Sequence, residues 1–202
     1  MSNPVETPTE APAPERLQRA DARRNRDRVI KAARTRMARD GLDTQMEDIA
    51  RAAKVGVGTV YRHFSTKDEL IEALAFDRFE RLREAAEAAL VIDDPWEAFE
   101  TFIRAAARIQ TEDRALSEVL TSRPDVMGAA AASVGMLEIT ATLIGRAQAA
   151  GVVRPDARPE DVPMLMCALA GTFKAPYAST DRYVGIVLDG LRPSGSGRTD
   201  LS

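Results

Sequence analysis

Hydrophobic side chains recur along this chain at spacings of three and four residues, which is the period of an amphipathic α-helix. The clearest stripe consists of Met46, Ile49, Ala50 and Ala53. Gly56 interrupts it, and a second helix is predicted over residues 57–64, where Val60 and Phe64 have the inward spacing. The pattern therefore predicts two short helices joined by a tight turn, which is the arrangement of a helix-turn-helix.

The ends of these two helices carry local signals. Thr44 precedes the first helix and Glu47 follows three residues later, so the pair predicts a capping box at its N-terminus. Gly56 predicts a turn that needs either a positive φ or close approach of the two helices. Because the second helix has barely two turns and buries little beyond Val60 and Phe64, its other side chains are expected to point away from the core.

Periodicity and stop signals predict helices along the rest of the chain as well. A long first helix is predicted over residues 20–39, ending at Asp40 and Gly41. The later helices are predicted over residues 67–90, 95–109, 112–122, 125–150, 159–177 and 180–191. The helix start at Pro159 is poorly marked, because Arg158 stands where a capping side chain is expected. The chain is thus predicted to be all-α, with about nine helices.

Composition divides the chain into four segments. Frequent prolines predict a disordered tail over residues 1–19, and a Pro-Ser-Gly stretch predicts another over residues 193–202. Between them, residues 20–67 are expected to form a three-helix head that contains the helix-turn-helix. Residues 68–192 are expected to form a helical body.

The formal net charge of −3 hides an uneven distribution. Residues 16–67 contain 14 Lys or Arg and 6 Asp or Glu, a net charge of +8, whereas residues 68–202 contain 14 and 22, a net charge of −8. A positive head on a negative body would orient the molecule toward a polyanion such as DNA. Solvated helix faces are the alternative explanation, but beside a helix-turn-helix the split supports nucleic-acid binding.

Composition also narrows the class of protein. The 202-residue chain is 45% apolar and only 5% aromatic, which favours a helical protein with a real core. It has no apolar run of about 18 residues and no basic-then-apolar N-terminus, so neither a membrane span nor a signal peptide is predicted. Cys167 is the single cysteine, which excludes an intramolecular disulfide and is typical of a cytoplasmic protein.

The segment VGVGTVYRHFSTKDELIEAL resembles the N-terminal domain of the TetR family of ligand-responsive transcriptional repressors. It matches the family's pattern of Gly-Thr-aliphatic-Tyr-x-His-Phe followed by a helix that starts with Lys, and the resemblance is densest over residues 22–75. The resemblance implies a homodimer that binds a palindromic operator in double-stranded DNA and is released by a small-molecule effector. The last two helices would form the dimer contact, and the middle helices the effector pocket.

The same segment has the residue types that a helix in the major groove needs. Gly58 would let the backbone approach the duplex, and Arg62 is the candidate for a bidentate contact to guanine. The resemblance implies that Tyr61 and His63 contact phosphates and neighbouring base edges. The candidate DNA-contacting residues are Thr44, Val57, Gly58, Thr59, Tyr61, Arg62, His63 and Lys67.

Plainer roles remain open for part of this surface. Tyr61 could simply pack with its hydroxyl in water, and Lys67 could be a solvated first-turn residue, although lysine there opposes the helix dipole. Arginines near the start of the first helix could reach the minor groove or form a solvated basic face. These are Arg16, Arg19, Arg23, Arg24, Arg26 and Arg28.

The effector pocket can be suggested only from apolar positions on the later helices, where methionines suit an adaptable lining. The candidates are Phe99, Phe102, Ile103, Met127, Met136, Met166, Phe173 and Tyr177. Ordinary core packing is the alternative for each of them. A small buried apolar role, rather than redox sensing, is expected for Cys167.

An enzyme is the rival from a different class of protein. The chain lacks HExxH, Cys-x-x-Cys and phosphate-loop motifs, and Tyr61 stands where a dinucleotide fingerprint needs a third glycine. His63 is the only histidine, and no metal ligand, cofactor or catalytic residue is predicted. The other alternative is a DNA-binding regulator or activator that acts through a protein partner and binds no effector.

Overall fold

The structure, a computed structural model, describes residues 14–112, 114–172 and 179–193, and these residues form ten α-helices and no strand. The all-α prediction is therefore confirmed. The helices are α1 Pro14–Asp40, α2 Met46–Ala53, α3 Val57–His63, α4 Lys67–Leu90, α5 Pro95–Glu112, α6 Arg114–Ser122, α7 Pro124–Ser133, α8 Met136–Ala149, α9 Asp161–Thr172 and α10 Thr180–Leu191. A short 3-10 turn, Gly41–Asp43, follows α1.

The helix predicted over residues 125–150 is in fact two helices, which explains why ten are found where about nine were predicted. Gly135 lies between α7 and α8 with a φ of 63°, in the left-handed region that favours glycine. The two helices are bent by 70° relative to each other. Residues 129–132 before Gly135 are all alanine and an apolar helical pattern continues after it, so the sequence indicated one helix across the break.

Three predicted boundaries also change. α1 begins at Pro14 rather than at residue 20, so it extends into the predicted N-terminal tail, and proline is well suited to a first helical position. α9 begins at Asp161, whose side chain accepts a hydrogen bond from the Arg158 backbone N–H at 2.8 Å. α5 runs three residues beyond its predicted end, to Glu112. Residues 1–13, 173–178 and 194–202 of the predicted tails and helices lie outside the described residues.

One hydrophobic cluster, here called the head cluster, joins α1, α2, α3 and the first turns of α4 to α6 and α7. It contains the predicted inward stripe of α2, all four members of which are buried. Leu116 and Leu120 of α6 and Val126 of α7 belong to the same cluster. The head is therefore packed directly against two helices of the body, and a displacement of α6 or α7 would reach α1.

A second hydrophobic group, here called the body cluster, joins the later part of α4 to α5, α8, α9 and α10. Asp94 caps α5 by accepting the Glu97 backbone N–H at 2.7 Å, as the Asp-Pro start predicts. Arg146 of α8 donates to the Leu90 and Ile92 carbonyls at 2.9 and 2.6 Å. These bonds satisfy carbonyl groups that the end of α4 leaves unpaired.

No single helix among the described residues is long and apolar enough to cross a membrane. The bent pair formed by α7 and α8 meets the length and composition criteria only when the two helices are taken together.

Candidate functional site

The shortest helix of the head, α3, presents one face to its surroundings and one to the core. Val60 is fully buried and Phe64, which follows the helix, is 3% exposed, as predicted. The opposite face carries the exposed residues Val57, Gly58, Tyr61 and Arg62. Val57 and Tyr61 are 39% and 43% exposed. The side chains of this face are therefore accessible to a molecule outside the head.

The turn that leads into α3 is formed differently from the prediction. The residue with positive φ is Lys54, at 55°, where α2 ends. Gly56 has an ordinary φ of −67° and lies before the first residue of α3. A Cβ added at Gly56 would come no closer than 3.8 Å to another heavy atom, so close approach of the two helices does not require glycine there. The prediction for Gly56 was wrong because a residue with a side chain, Lys54, takes the left-handed conformation instead.

The predicted capping box at Thr44 is also wrong. Thr44 is buried, with 4% of its surface exposed, and its hydroxyl donates to the Gly41 carbonyl at 2.9 Å. The residue before α2 is Gln45, whose side chain makes no capping bond. The Glu47 carboxylate instead accepts a long hydrogen bond of 3.4 Å from the Tyr61 hydroxyl. The competing 3-10 turn after α1 explains why the Thr-x-x-Glu spacing did not produce the box.

A cap does form at the next helix. The Thr66 hydroxyl accepts the Glu69 backbone N–H at 3.1 Å, and the Glu69 carboxylate accepts the Ser65 backbone N–H at 2.7 Å. These bonds hold the start of α4 against the end of α3. Lys67, the first residue of α4, is half-buried beside this junction.

Two features on the flanks of α3 add positive charge. The guanidinium of Arg26 on α1 lies 5.4 Å from the centroid of the Phe64 ring, a cation–π distance that ties α1 to the end of α3. Arg62 is exposed, and among the described residues it makes no ion pair or side-chain hydrogen bond. Thr59 and His63 are half-buried at the edges of the exposed face. Of the eight candidate DNA-contacting residues, only Thr44 is buried.

A cavity of about 250 Å³ lies in the body, between α4, α5, α7, α8 and α9. Its described lining residues are mostly apolar, and Arg78 of α4 is the only charged one among them. Arg78 is 8% exposed and donates to the Ser117 hydroxyl of α6 at 2.8 Å. The Ser117 hydroxyl in turn lies 3.3 Å from the Gln110 carbonyl at the end of α5. One end of the cavity is therefore polar and in contact with α6.

Two further polar side chains line this cavity. Thr140 is 4% exposed, and its hydroxyl donates to the Met136 carbonyl at 2.7 Å within α8. Gln110 is also 4% exposed, but its side-chain amide makes no hydrogen bond with any described residue. The Gln110 amide is therefore available to form hydrogen bonds within the cavity.

The predicted effector-binding residues divide into three groups in the structure. Four of them line the cavity: Phe102, Met127, Met136 and Met166. Phe99 and Ile103 are each 1% exposed and belong to the body cluster without being among the cavity's lining residues. Phe173 and Tyr177 lie outside the described residues. Cys167 is half-buried and lines the cavity.

Most of the cavity's lining residues were not among the sequence candidates, and the polar ones that were missed are Arg78, Gln110 and Thr140. They belong to no motif, so only helical periodicity offered a signal. Arg78 follows Leu74 by four residues and Ile71 by seven, so it occupies an inward position in an otherwise apolar stripe of α4. A charged residue within an apolar stripe is the pattern that indicates a polar group turned into the interior.

Two other hollows, of about 420 and 500 Å³, are larger but lie at the surface. The first is lined by exposed residues of α1 and α5 such as Thr35, Arg39 and Glu112. The second lies between α5 and α10 and includes Arg104, Arg108 and Asp181. Neither has the largely apolar lining of the body cavity. No group of three or more potential metal ligands occurs among the residues that the structure describes.

Comparison with known proteins gives consistent results for both halves of the chain. A family model described as bacterial regulatory proteins of the tetR family matches residues 29–74. A model described as the C-terminal domain of SbtR-like transcriptional regulators matches residues 94–193. A search of curated proteins found no match.

Solved structures extend the similarity to nearly the whole chain. A TetR transcription regulatory protein from Mycobacterium vanbaalenii is 37% identical, covers 87% of this chain and 99% of its own, and superposes with a TM-score of 0.66. A TetR transcriptional regulator from Streptomyces coelicolor is 31% identical, with coverages of 84% and 99% and a TM-score of 0.65.

The TetR-family regulator PfmR from Thermus thermophilus is 20% identical, with coverages of 81% and 96% and a TM-score of 0.60, and it supports the fold alone. The relatives from Mycobacterium and Streptomyces carry the family assignment, because they combine more than 30% identity with coverage of almost the entire chain. The family model over residues 29–74 covers α2 and α3, and the chain belongs to the TetR family of DNA-binding transcriptional regulators.

Proposed function

We propose that this regulator is a dimeric repressor that leaves a palindromic operator when a small-molecule effector enters the body cavity. The observation that carries the proposal is the pairing of an outward-facing α3 with a mostly apolar cavity on the same chain. α4 connects the two, because it begins beside α3 at Lys67 and lines the cavity from Arg78 onward. At the helical rise per residue, the two positions are about 16 Å apart.

The proposed DNA contacts follow from the exposed face of α3. Arg62 would donate two hydrogen bonds to a guanine, and Val57 would pack against a thymine methyl group. Gly58 would allow close approach, since a Cβ there would meet nothing within 4 Å. Tyr61, Thr59 and His63 would contact phosphates and base edges around this centre.

Lys67 and the start of α2 would provide the flanking phosphate contacts. The hydroxyl of Thr44 already donates to Gly41. The backbone amides at the start of α2 are therefore the better donors at that end of the site.

The proposed dimer surface consists of the outer faces of α9 and α10, with a second copy of the chain as its partner. Val184 and Leu188 lie on the inner face of α10 and are buried. Ile186 on the outer face is 56% exposed, and Gly190 one turn later is exposed and would allow close contact. A two-fold axis through this surface would present two α3 helices about one duplex turn apart, or about 34–36 Å.

Regulation would then need only two arrangements of the dimer. If an effector prefers the arrangement in which the two α3 helices are wrongly spaced, a differential of about 1–3 kcal/mol lowers operator affinity by about 5- to 150-fold. No catalytic step enters this mechanism. A cytoplasmic location fits such a role. The alternative of an effector-independent regulator or activator has less support, because it leaves the cavity without a purpose.

Selection of bound duplexes from a random pool, combined with the mass of the protein in solution, tests the proposal. We expect enriched sequences with two inverted half-sites about 10 base pairs apart and a mass of two chains. Enrichment of a single asymmetric site by a monomer would overturn the dimeric model. Failure to enrich any sequence at low ionic strength would overturn operator recognition.

A further inference from the structure

The first half of α1 extends beyond the hydrophobic core of the head. The head cluster takes side chains from α1 only from Val29 onward, and none of residues 18–28 is buried. We propose that residues 18–28, here called the α1 extension, lie along the sugar-phosphate backbone of duplex DNA beside α3. Their phosphate ligands would be Arg19, Arg23 and Arg26. This inference rests on the proposed DNA contacts of α3, and it adds a second DNA-binding element to them.

The helical register places these arginines on one face of α1. In the second half of the helix, that face is buried and consists of Ile30, Ala33 and Met37. Continued toward the N-terminus at spacings of three and four residues, it consists of Arg26, Arg23 and Arg19. One face of α1 is thus apolar where it meets the head cluster and cationic beyond it. The positive charge therefore lies on the side of α1 on which the head lies.

Hydrogen bonding distinguishes this face from the rest of the α1 extension. Arg24 forms an ion pair with Asp21 one turn earlier on the same helix. Arg23 is exposed, and it makes no hydrogen bond or ion pair with any residue that the structure describes. The two arginines are about 100° apart around the helix axis. A guanidinium carries only donors, so Arg23 is available to an acceptor outside the protein, such as a phosphate.

The α1 extension begins beside the end of α3. The Arg26 guanidinium lies 5.4 Å from the centroid of the Phe64 ring, and Phe64 directly follows α3. Lys67, a proposed phosphate ligand, is the first residue of the next helix. From Arg26 to Arg19 the helix rises about 10 Å. One strand of duplex DNA carries a phosphate about every 3.4 Å along its axis, so this span matches about three phosphates.

The width of a helix decides which part of the duplex the α1 extension can reach. An α-helix with its side chains is about 10–12 Å across. The minor groove is only about 6 Å wide, so the helix cannot enter it. In the proposed complex α3 occupies the major groove, which leaves the phosphate backbone to the α1 extension. Phosphate contacts carry no sequence information, and we therefore expect the α1 extension to increase affinity for every duplex.

The test uses the full-length protein and two duplexes of equal length, one selected from a random pool and one unrelated. Fluorescence anisotropy measures both affinities at several salt concentrations. Arg23→Gln should weaken both duplexes by the same factor, several-fold at about 0.1 M salt, and lower the slope of log affinity against log salt by about one. Removing Arg19 as well should lower the slope by about two in total. Base preference should not change.

Arg24→Gln is the matched control. It removes the same charge from the neighbouring position, but Arg24 pairs with Asp21 and lies on another face of the helix. It should therefore change both affinities and the slope far less than Arg23→Gln. Arg23→Lys should retain most of the binding, because lysine also binds phosphate. Since both positions are exposed, all three variants should keep the helical content of the original protein in circular dichroism.

Equal losses in Arg23→Gln and Arg24→Gln would overturn the inference, because net charge alone would then explain them. A loss confined to the selected duplex would also overturn it, since Arg23 would then read bases. The third contrary result is an Arg23→Gln variant that binds duplexes normally but no longer binds phosphatidylglycerol vesicles. The face would then serve a membrane rather than DNA.

Arg62→Ala separates this inference from the proposed function. If Arg62→Ala keeps its sequence preference while Arg23→Gln lowers the salt slope, sequence reading by Arg62 is wrong and the phosphate contact of the α1 extension stands. If Arg62→Ala loses sequence preference while Arg23→Gln behaves like Arg24→Gln, only the present inference is overturned. Absence of binding to either duplex at low ionic strength would overturn both.

Discussion

In the head, α3 lies on a filled hydrophobic cluster and turns Val57, Tyr61 and Arg62 outward. In the body, α4 and α5 turn Arg78 and Gln110 inward, toward a cavity of about 250 Å³. The head therefore separates the residues that fold it from the residues that face a partner. The body combines the two roles, because the walls of its cavity are also members of its hydrophobic cluster.

This difference has consequences for evolution as well as for experiment. If α3 reads the operator as proposed, a substitution on its exposed face can change the DNA sequence that is bound without disturbing the fold, since surface changes usually alter stability by less than about 0.5 kcal/mol. If the cavity binds an effector as proposed, a substitution there changes ligand binding and stability together. Change of effector is thus more tightly constrained by folding than change of operator.

The largest expected effect is in the body. Phe102→Ala should lower the free energy of unfolding by about 3–5 kcal/mol, because Phe102 is 2% exposed and contributes to the body cluster. It should also change the affinity of a ligand that the cavity binds, since Phe102 lines the cavity. Urea unfolding and calorimetry measure the two effects.

Phe99→Ala is the matched control for that prediction. Phe99 is 1% exposed, precedes Phe102 by three residues and is not among the lining residues. It should lose a similar amount of stability while the affinity of a ligand in the cavity stays unchanged. A Phe102→Ala protein as stable as the original would show that the cavity wall is not part of the folding core.

The next effect is in the head. Arg62→Ala should lose about 1–3 kcal/mol of discrimination at one operator position, while the free energy of unfolding stays the same. Arg108→Ala is the control, because it removes an equally exposed positive charge from α5 in the body. Operator variants measured by anisotropy would show the change. A loss spread evenly over all positions would instead assign Arg62 to a phosphate.

Much of the head could be predicted from sequence because its signals are local. The stripe of α2, the inward pair Val60 and Phe64, and the Thr66 cap all depend on neighbours within one or two turns. The errors arose where two local options competed. The Thr44 hydroxyl was predicted to cap α2 but donates to the Gly41 carbonyl of the 3-10 turn instead. The left-handed conformation predicted for Gly56 is adopted by Lys54.

The cavity could be predicted only in part, because apolar periodicity does not distinguish a packed residue from one that faces empty space. Phe99 and Phe102 lie on the same stripe of α5, yet only Phe102 reaches the cavity. The break at Gly135 was hidden for a related reason. Alanines before it and an apolar helical pattern after it favour a helix, and only the packing of α7 and α8 on α4 decides that the helix ends there.

Gly135 supplies a prediction of intermediate size in the body. Gly135→Ala should destabilise the protein by about 1–2 kcal/mol, because its φ of 63° strains any residue with a Cβ. Gly145→Ala, in the exposed face of α8, should instead stabilise it by about 0.5–1 kcal/mol. Thermal unfolding at equal protein concentration compares them. If both substitutions changed the stability in the same direction, the bend at residue 135 would not depend on glycine.

Lys67 tests the head with a smaller effect. If it contacts a phosphate, Lys67→Ala should weaken binding to all duplexes alike and lower the slope of log affinity against log salt by about one. Arg62→Ala should alter sequence preference far more than this slope. Salt titrations on one operator and one unrelated duplex separate the two behaviours. A change confined to the operator would contradict the phosphate contact.

The smallest expected effect compares one carboxylate in each region. In the body, hydrogen bonds from Arg104 and Trp96 lower the pKa of Glu100, with Arg104 the larger cause and burial opposing it. A lowered folded-state pKa stabilises the protein at neutral pH, and this contribution is lost as the pH falls through that pKa. Glu100→Gln should therefore reduce stability at neutral pH by less than about 1 kcal/mol, and the difference should vanish in acid.

Asp40 is its counterpart in the head, where the hydrogen bond from Arg39 lowers the pKa of a carboxylate whose side chain is 30% exposed. Because the Arg39 side chain is 68% exposed and that of Arg104 is 43% exposed, water and salt reach the Asp40 pair more readily. Asp40→Asn should therefore change stability less than Glu100→Gln and lose its effect in added salt. Urea unfolding between about pH 7 and pH 4, at low and high salt, measures both variants. If the stability change caused by Asp40→Asn does not decrease in added salt, the Arg39–Asp40 pair is no more accessible to salt than the Arg104–Glu100 pair.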